Sequence, residues 1–105
     1  MRLPLLGLGL STLLSVGPAL AATAYVTNEK GNSVSIVDLD KMAVVSTVDV
    51  GQRPRGIALS KDEKLVYICL SDDDTIGIYD AKTMESVGEL PSGADPEQLR
   101  ISHDG

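Results

Sequence analysis

Residues 25–38, YVTNEKGNSVSIVD, and residues 67–80, YICLSDDDTIGIYD, are two versions of one pattern. The likeness runs on without a gap, so that the stretch from Tyr25 to Glu63 overlies the stretch from Tyr67 to Gly105 at a spacing of 42 residues. Tyr25 pairs with Tyr67, Ile36 with Ile78, Asp38 with Asp80, Met42 with Met84, Gly51 with Gly93, Pro54 with Pro96, Ser60 with Ser102 and Asp62 with Asp104. A repeat of about 40 to 45 residues made of short strands is the size of one four-stranded propeller blade. The repeat therefore points to an architecture before any motif is considered.

Each copy divides into four strand signals separated by turn residues. Residues 24–28 and 65–70 are rich in β-branched and aromatic residues. In residues 33–37 and 75–79, Val34 and Ile36, or Ile76 and Ile78, alternate with small residues in the period of a half-buried strand. Third strands are expected over 44–50 and 86–90. Loops holding glycine and proline follow, at Gly51 to Pro54 and at Gly93 to Pro96. Fourth strands are expected at 56–60 and 98–102. No helical apolar stripe occurs beyond residue 21, and the expected fold is all-β, with blades of four antiparallel strands.

The first 21 residues have the layout of an export signal: Arg2, an apolar run from Leu5 to Leu14, then Pro18 and the small-residue site Ala19-Leu20-Ala21. Removal after Ala21 is expected, leaving residues 22–105 as a partial propeller with repeat 1 at about 25–66 and repeat 2 at about 67–105. The alternative is a retained anchor, since the uncharged stretch Leu3 to Asn28 is long enough to span a bilayer. Gly7, Gly9, Gly17 and Pro18 make that stretch a poor continuous helix. The expected location is periplasmic or secreted.

The formal net charge is −6, which disfavours nucleic acid as a partner because Lys and Arg supply most of that affinity. Cys69 is the only cysteine, so an intrachain disulfide, a Cys-x-x-Cys-His haem attachment and a cysteine-rich zinc site are all excluded for this stretch. Its setting in Val66-Tyr67-Ile68-Cys69-Leu70 reads as a buried strand interior.

The tetrapeptide Tyr25-Val26-Thr27-Asn28 is the motif that names the YVTN family of β-propeller repeats, which the whole of 22–105 resembles. Residues 24–30, 50–60 and 90–97 look most like exported propeller proteins associated with pyrroloquinoline-quinone (PQQ)-dependent alcohol catabolism. By analogy with propeller repeats of the Trp-Asp type, the strand leading into Ser60-x-Asp62 would be the innermost of its blade. Residues 55–90 would then form one complete blade, 24–50 three strands of a blade lacking its inner strand, and 98–102 the inner strand of a third. The resemblance implies a longer protein that closes its ring with further strands, or self-association if 105 residues are the whole product.

Six residues are candidates for ligand or partner contact. Arg53 and Arg55 flank Pro54 in the loop before an inner strand, where two guanidinium groups could hold a carboxylate or phosphate. The alternative is surface charge balanced by neighbouring acids, the second copy having Asp95 and Glu97 at those positions. Asp72, Asp73 and Asp74 form the densest carboxylate cluster, but it lacks the companions of a calcium loop and reads as a solvated turn. Glu97 completes the set. Asp38 and Asp80, each following a strand, suit turn capping. No catalytic, metal-ligating or cofactor-binding residue is assigned: phosphate loop, nucleophile elbow and His-Glu-x-x-His are lacking, as is tryptophan. The resemblance implies a non-catalytic binding or scaffold protein, with a periplasmic quinoprotein dehydrogenase system or another protein as partner. The alternatives are a lactonase-type or redox propeller whose active-site residues lie beyond residue 105, and a cell-surface repeat protein.

Overall fold

The computed structural model describes residues 22–105. The expected leader, 1–21, lies outside the described residues. Seven strands form two antiparallel sheets. The first sheet holds β1 (Thr23–Asn28), β2 (Ser33–Asp38) and β3 (Ala43–Asp49) in the order β1-β2-β3. The second holds β4 (Pro54–Leu59), β5 (Leu65–Leu70), β6 (Thr75–Asp80) and β7 (Ser86–Pro91) in the order β4-β5-β6-β7. This is the complete four-stranded blade read from the sequence, preceded by a three-stranded one. All seven strands fall within two residues of their expected bounds.

Gln98–Ser102 corrects the sequence reading. Its alternating pattern predicts a strand, yet the segment forms none. A strand is defined by its ladder, and its backbone groups need a partner. No described residue pairs with this segment; the nearest link is the Gly56 N–H donating to the Glu97 carbonyl at 3.0 Å.

The 42-residue repeat is a repeat of backbone conformation as well as of sequence. Left-handed residues recur in pairs at that spacing: Asn32 and Asp74 (φ 54° and 57°), Met42 and Met84 (53° and 60°), Arg53 and Asp95 (57° and 52°), Glu63 and Gly105 (63° and 89°). Such angles are uncommon for residues with a side chain, so their recurrence marks turns that the two copies share. Asp38 Oδ1 accepts the N–H groups of Asp40 and Lys41, and Asp80 Oδ1 those of Lys82 and Thr83, at 2.8 to 3.0 Å. Both aspartates cap turns, as their recurrence suggests. Ser60 donates to Asp62 Oδ1 at 2.7 Å, and Ser102 to Asp104 Oδ1 at 2.9 Å.

The core is a seam between the two sheets. Val34 from β2 is fully buried, as are Val66 and Ile68 from β5, with Leu70, Tyr79, Ala81 and Met84 around them. Tyr25, Ile36, Val48, Val50 and Ile57 pack on its margins. Cys69 is also fully buried, and burial pushes its thiol up from the usual cysteine range, so it acts as a small apolar side chain. The sheets are tied by polar bonds too: the Tyr25 hydroxyl donates to the Ala81 carbonyl at 2.9 Å, and Thr27 Oγ1 to the Arg55 carbonyl at 2.9 Å.

Truncating Ile68 at the centre of this seam, Ile68→Ala, is expected to cost about 3 kcal/mol in urea unfolding. Tyr25→Phe, which removes the bond between sheets but little apolar area, should cost about 1 kcal/mol. Hydrogen bonds from Thr83 and Lys82 N–H hold the Asp80 carboxyl below its ordinary range. A lowered folded pKa stabilises fully above the unfolded value and is lost as pH falls through the folded one. Melting temperature should therefore drop with acidification below about pH 4, and Asp80→Asn should flatten that drop.

Candidate functional site

The loop joining the two sheets, Val50 to Arg53, carries Arg53 and leads into β4, which carries Arg55, and it is fixed before its side chains are considered. At Gly51 a Cβ would lie 2.5 Å from Asp73 Oδ2 and 2.6 Å from Leu70 Cδ1, so any larger residue would have to push those side chains off the β5–β6 turn on which the loop settles. The Gln52 N–H donates to Asp73 Oδ2 at 2.7 Å and the Arg53 N–H to Asn32 Oδ1 at 2.8 Å. The latter bond holds Arg53 left-handed and links the two sheets. Its repeat counterpart is present: Asp95 N–H donates to Asp74 Oδ1 at 2.9 Å. Asp73 and Asp74 thus use carboxylate oxygens to hold loop backbone.

With the backbone held, the two guanidinium groups reach four carboxylates. Arg53 Nε donates to Glu29 Oε2 at 2.8 Å, and its Nη1 lies 3.6 Å from Asp72 Oδ1. Arg55 stands 3.9 Å from Glu29, 3.8 Å from Asp95 and 3.4 Å from Glu97. The bond to Arg53 holds the Glu29 carboxyl below its ordinary range and raises the Arg53 guanidinium in turn. Arg53 side-chain exposure is 43% and Arg55's is 27%, so water and salt screen these pairs strongly. They set charge pattern more than stability.

The six residues named from sequence fall into two groups. Arg53, Arg55, Asp72 and Glu97 join one ion network; Asp73 and Asp74 belong to the scaffold beneath it. Glu29, which joins the two arginines, went unnoticed in the sequence, because its contacts cross from one sheet to the next. Asp95 was visible only as the counterpart of Arg53. Two hollows flank the network. One of about 460 Å³ is lined by Glu29, Lys30, Asn32, Gln52, Arg53 and Asp72. The other, about 440 Å³, lies among Arg55, Gly56, Ile57 and residues 97–100. Four carboxylates and two guanidinium groups meet in the network, and Lys30 and Arg100 add positive charge at the two hollows, so the face mixes both signs. Among the described residues, no three or more His, Cys, Asp or Glu side chains converge as metal ligands.

Comparison with known proteins places this geometry in a family. The pattern of the YncE-like β-propeller family matches residues 9–105. YncE of Salmonella typhi is 36% identical over 52 residues, half of this chain but only 15% of YncE. Among solved structures, hydrazine synthase of Kuenenia stuttgartiensis superposes on 79% of this chain and 24% of its own, at 29% identity and a TM-score of 0.75. The dihydro-heme d1 dehydrogenase NirN, solved in complex with DHE, covers 77% of this chain and 18% of its own, at 26% identity and a TM-score of 0.64. The chain thus spans a quarter or less of the length of each relative. Because the family's pattern matches residues 9–105, nearly the whole chain, the chain belongs to the YncE-like β-propeller family.

Proposed function

We propose that these blades belong to an exported, non-catalytic β-propeller that serves a periplasmic PQQ-dependent alcohol-oxidising system as a binding or scaffold protein. The observation that carries this reading is the composition of the loop face. Its clustered side chains are arginines paired with carboxylates, and the two serine hydroxyls bonded to carboxylates, Ser60 to Asp62 and Ser102 to Asp104, recur at the repeat spacing as turn bonds. Cys69 is buried, and His103 lies in an exposed turn. General acid or base catalysis needs a group held within reach of a reacting atom, whereas a charged rim around shallow hollows suits docking. The resemblance of residues 24–30, 50–60 and 90–97 to exported PQQ-associated propellers supplies the proposed setting.

The complete protein, purified, should not turn over alcohols, aldehydes or lactones unless a dehydrogenase is added, and turnover without one overturns the proposal. Its complex with a quinoprotein dehydrogenase should weaken with salt. Glu29→Lys combined with Asp72→Lys should lower that affinity by about tenfold at low ionic strength. A second reading is favoured by the named activities of two structural neighbours: the blades would form part of a redox propeller. A haem absorption spectrum from the complete protein would select it.

A further inference from the structure

A hollow of about 410 Å³ opens between the loop after β3 and the strands of the second sheet that lie farthest from β4. Cross-strand register builds it. Leu70 pairs with Thr75, Ile68 with Gly77, Gly77 with Glu89 and Tyr79 with Ser86, and residues opposite one another in a sheet share a face. The face that buries Ile68 and Leu70 in the core therefore also carries Thr75 and Tyr79, with Glu89 at its rim. Asp73 closes the hollow from the β5–β6 turn, beside Gly51. Its walls come from the second sheet and the loops around it, and include neither the β1 edge nor Gln98–Ser102.

The first blade shows the same positions fully paired. There Asn28 Nδ2 donates to Ser33 Oγ at 3.0 Å and to Ser35 Oγ at 2.9 Å, and Ser35 Oγ lies 3.5 Å from Thr47 Oγ1. One repeat later Asn28, Ser33, Ser35 and Thr47 become Leu70, Thr75, Gly77 and Glu89. Leucine cannot donate, and Thr75 Oγ1 is buried with no hydrogen-bond partner among the described residues. Glycine in place of Ser35 opens space, part of which the Tyr79 ring fills: a Cβ at Gly77 would lie 2.7 Å from Tyr79 Cε1. Glutamate in place of Thr47 adds a charge at the rim. An unpaired buried hydroxyl costs stability, so the second blade keeps an unmet bond where the first has a closed network.

The charges around the hollow select the sign of its occupant. Asp73 and Glu89 form no ion pair among the described residues, and no Lys, Arg or His lines the hollow. Asp73 spends Oδ2 on the Gln52 N–H at 2.7 Å, which leaves Oδ1. Tyr79 is only 7% exposed. Burial pushes its phenol above the usual tyrosine range, the Gly51 N–H opposes that shift, and the charges of Asp73 and Glu89 add to it. An anion would meet two carboxylates here, and a neutral polyol would leave both uncompensated.

We propose that this hollow binds a primary ammonium group, its N–H donors shared among the Glu89 carboxylate, Asp73 Oδ1 and the hydroxyl oxygens of Thr75 and Tyr79. An ammonium group carries donors and no acceptor, which matches a site whose ionised groups are all acceptors. The volume suits a small alkylamine. The site lies apart from the arginine network, so its failure would leave the docking role untouched.

Calorimetric titration of the complete protein with n-butylammonium chloride tests the site. Butylammonium should bind, and n-butanol, with the same chain and no charge, should not. Glu89→Gln should weaken binding about fivefold at low ionic strength. Glu85→Gln, the same loss of charge at an exposed residue outside the hollow, should leave it unchanged. Thr75→Val should move two readings in opposite directions: the melting temperature of the free protein rises as an unpaired hydroxyl is removed, and butylammonium affinity falls a few-fold. Absence of binding, equal binding of n-butanol, an equal loss in Glu85→Gln, or unchanged affinity in Glu89→Gln or Thr75→Val overturns the proposal.

Discussion

A sheet with apolar residues on its inner face cannot stand in water alone, and everything else in this chain depends on the seam that answers this constraint. Val34 from the first sheet meets Val66 and Ile68 from the second, with Leu70 and Tyr79 closing one end and Met84 the other cluster margin. Burying side chains of this size contributes about 1.5 to 3 kcal/mol each before the ordering cost is subtracted. The seam also positions the loop that carries Arg53 and leads to Arg55. Leu70, part of the core, lies under Gly51, and Tyr79 lies beside Gly77 on the same face, so apolar packing sets the height at which Arg53 and Arg55 leave the sheet.

Polar groups divide the work with that seam. Asn32 and Asp74, both left-handed, each accept an N–H from a loop residue 21 positions later. Asp38 and Asp80 close the β2–β3 and β6–β7 turns. These bonds join backbone to short side chains and are repeated faithfully. The ion pairs join long side chains across sheets and are not repeated, since Glu29 stands where the second copy has Ser71. Chemistry that recurs is scaffold; chemistry that differs is local to one junction.

This division explains what could be read from residue order. Period-two alternation located the strands because each strand has one face against the seam, and Gly51 and Pro54 marked a loop whose constraint is local. Left-handed Asn32, Asp74 and Asp95 are residue types that tolerate such angles. Met42, Met84, Arg53 and Glu63 are not; Met84 and Glu63 are held by turn bonds to the Asp80 and Ser60 carbonyls, and Arg53 by the bond to Asn32 Oδ1 that only the folded chain supplies. Gln98–Ser102 carries a strand's alternation without a strand's partner, and pattern alone cannot tell the two conditions apart. The ion network was half visible: Arg53, Arg55, Asp72 and Glu97 drew attention through their charge, while Glu29 needed the third dimension.

The difference in sign between the two inner loops has a physical reason that precedes any role in binding. The repeat gives both loops a left-handed residue at the same position, Arg53 and Asp95, and the fold sets the loops side by side, with the Gly56 N–H bonded to the Glu97 carbonyl. Identical side chains at the two positions would place two guanidinium groups where Arg55 and Glu97 now stand 3.4 Å apart. Like charges at that distance repel, and replacing one by a carboxylate turns repulsion into attraction without altering the loop. Sequence divergence between copies therefore encodes the order in which blades sit beside one another, and the charge pattern offered to a partner is a consequence of that order.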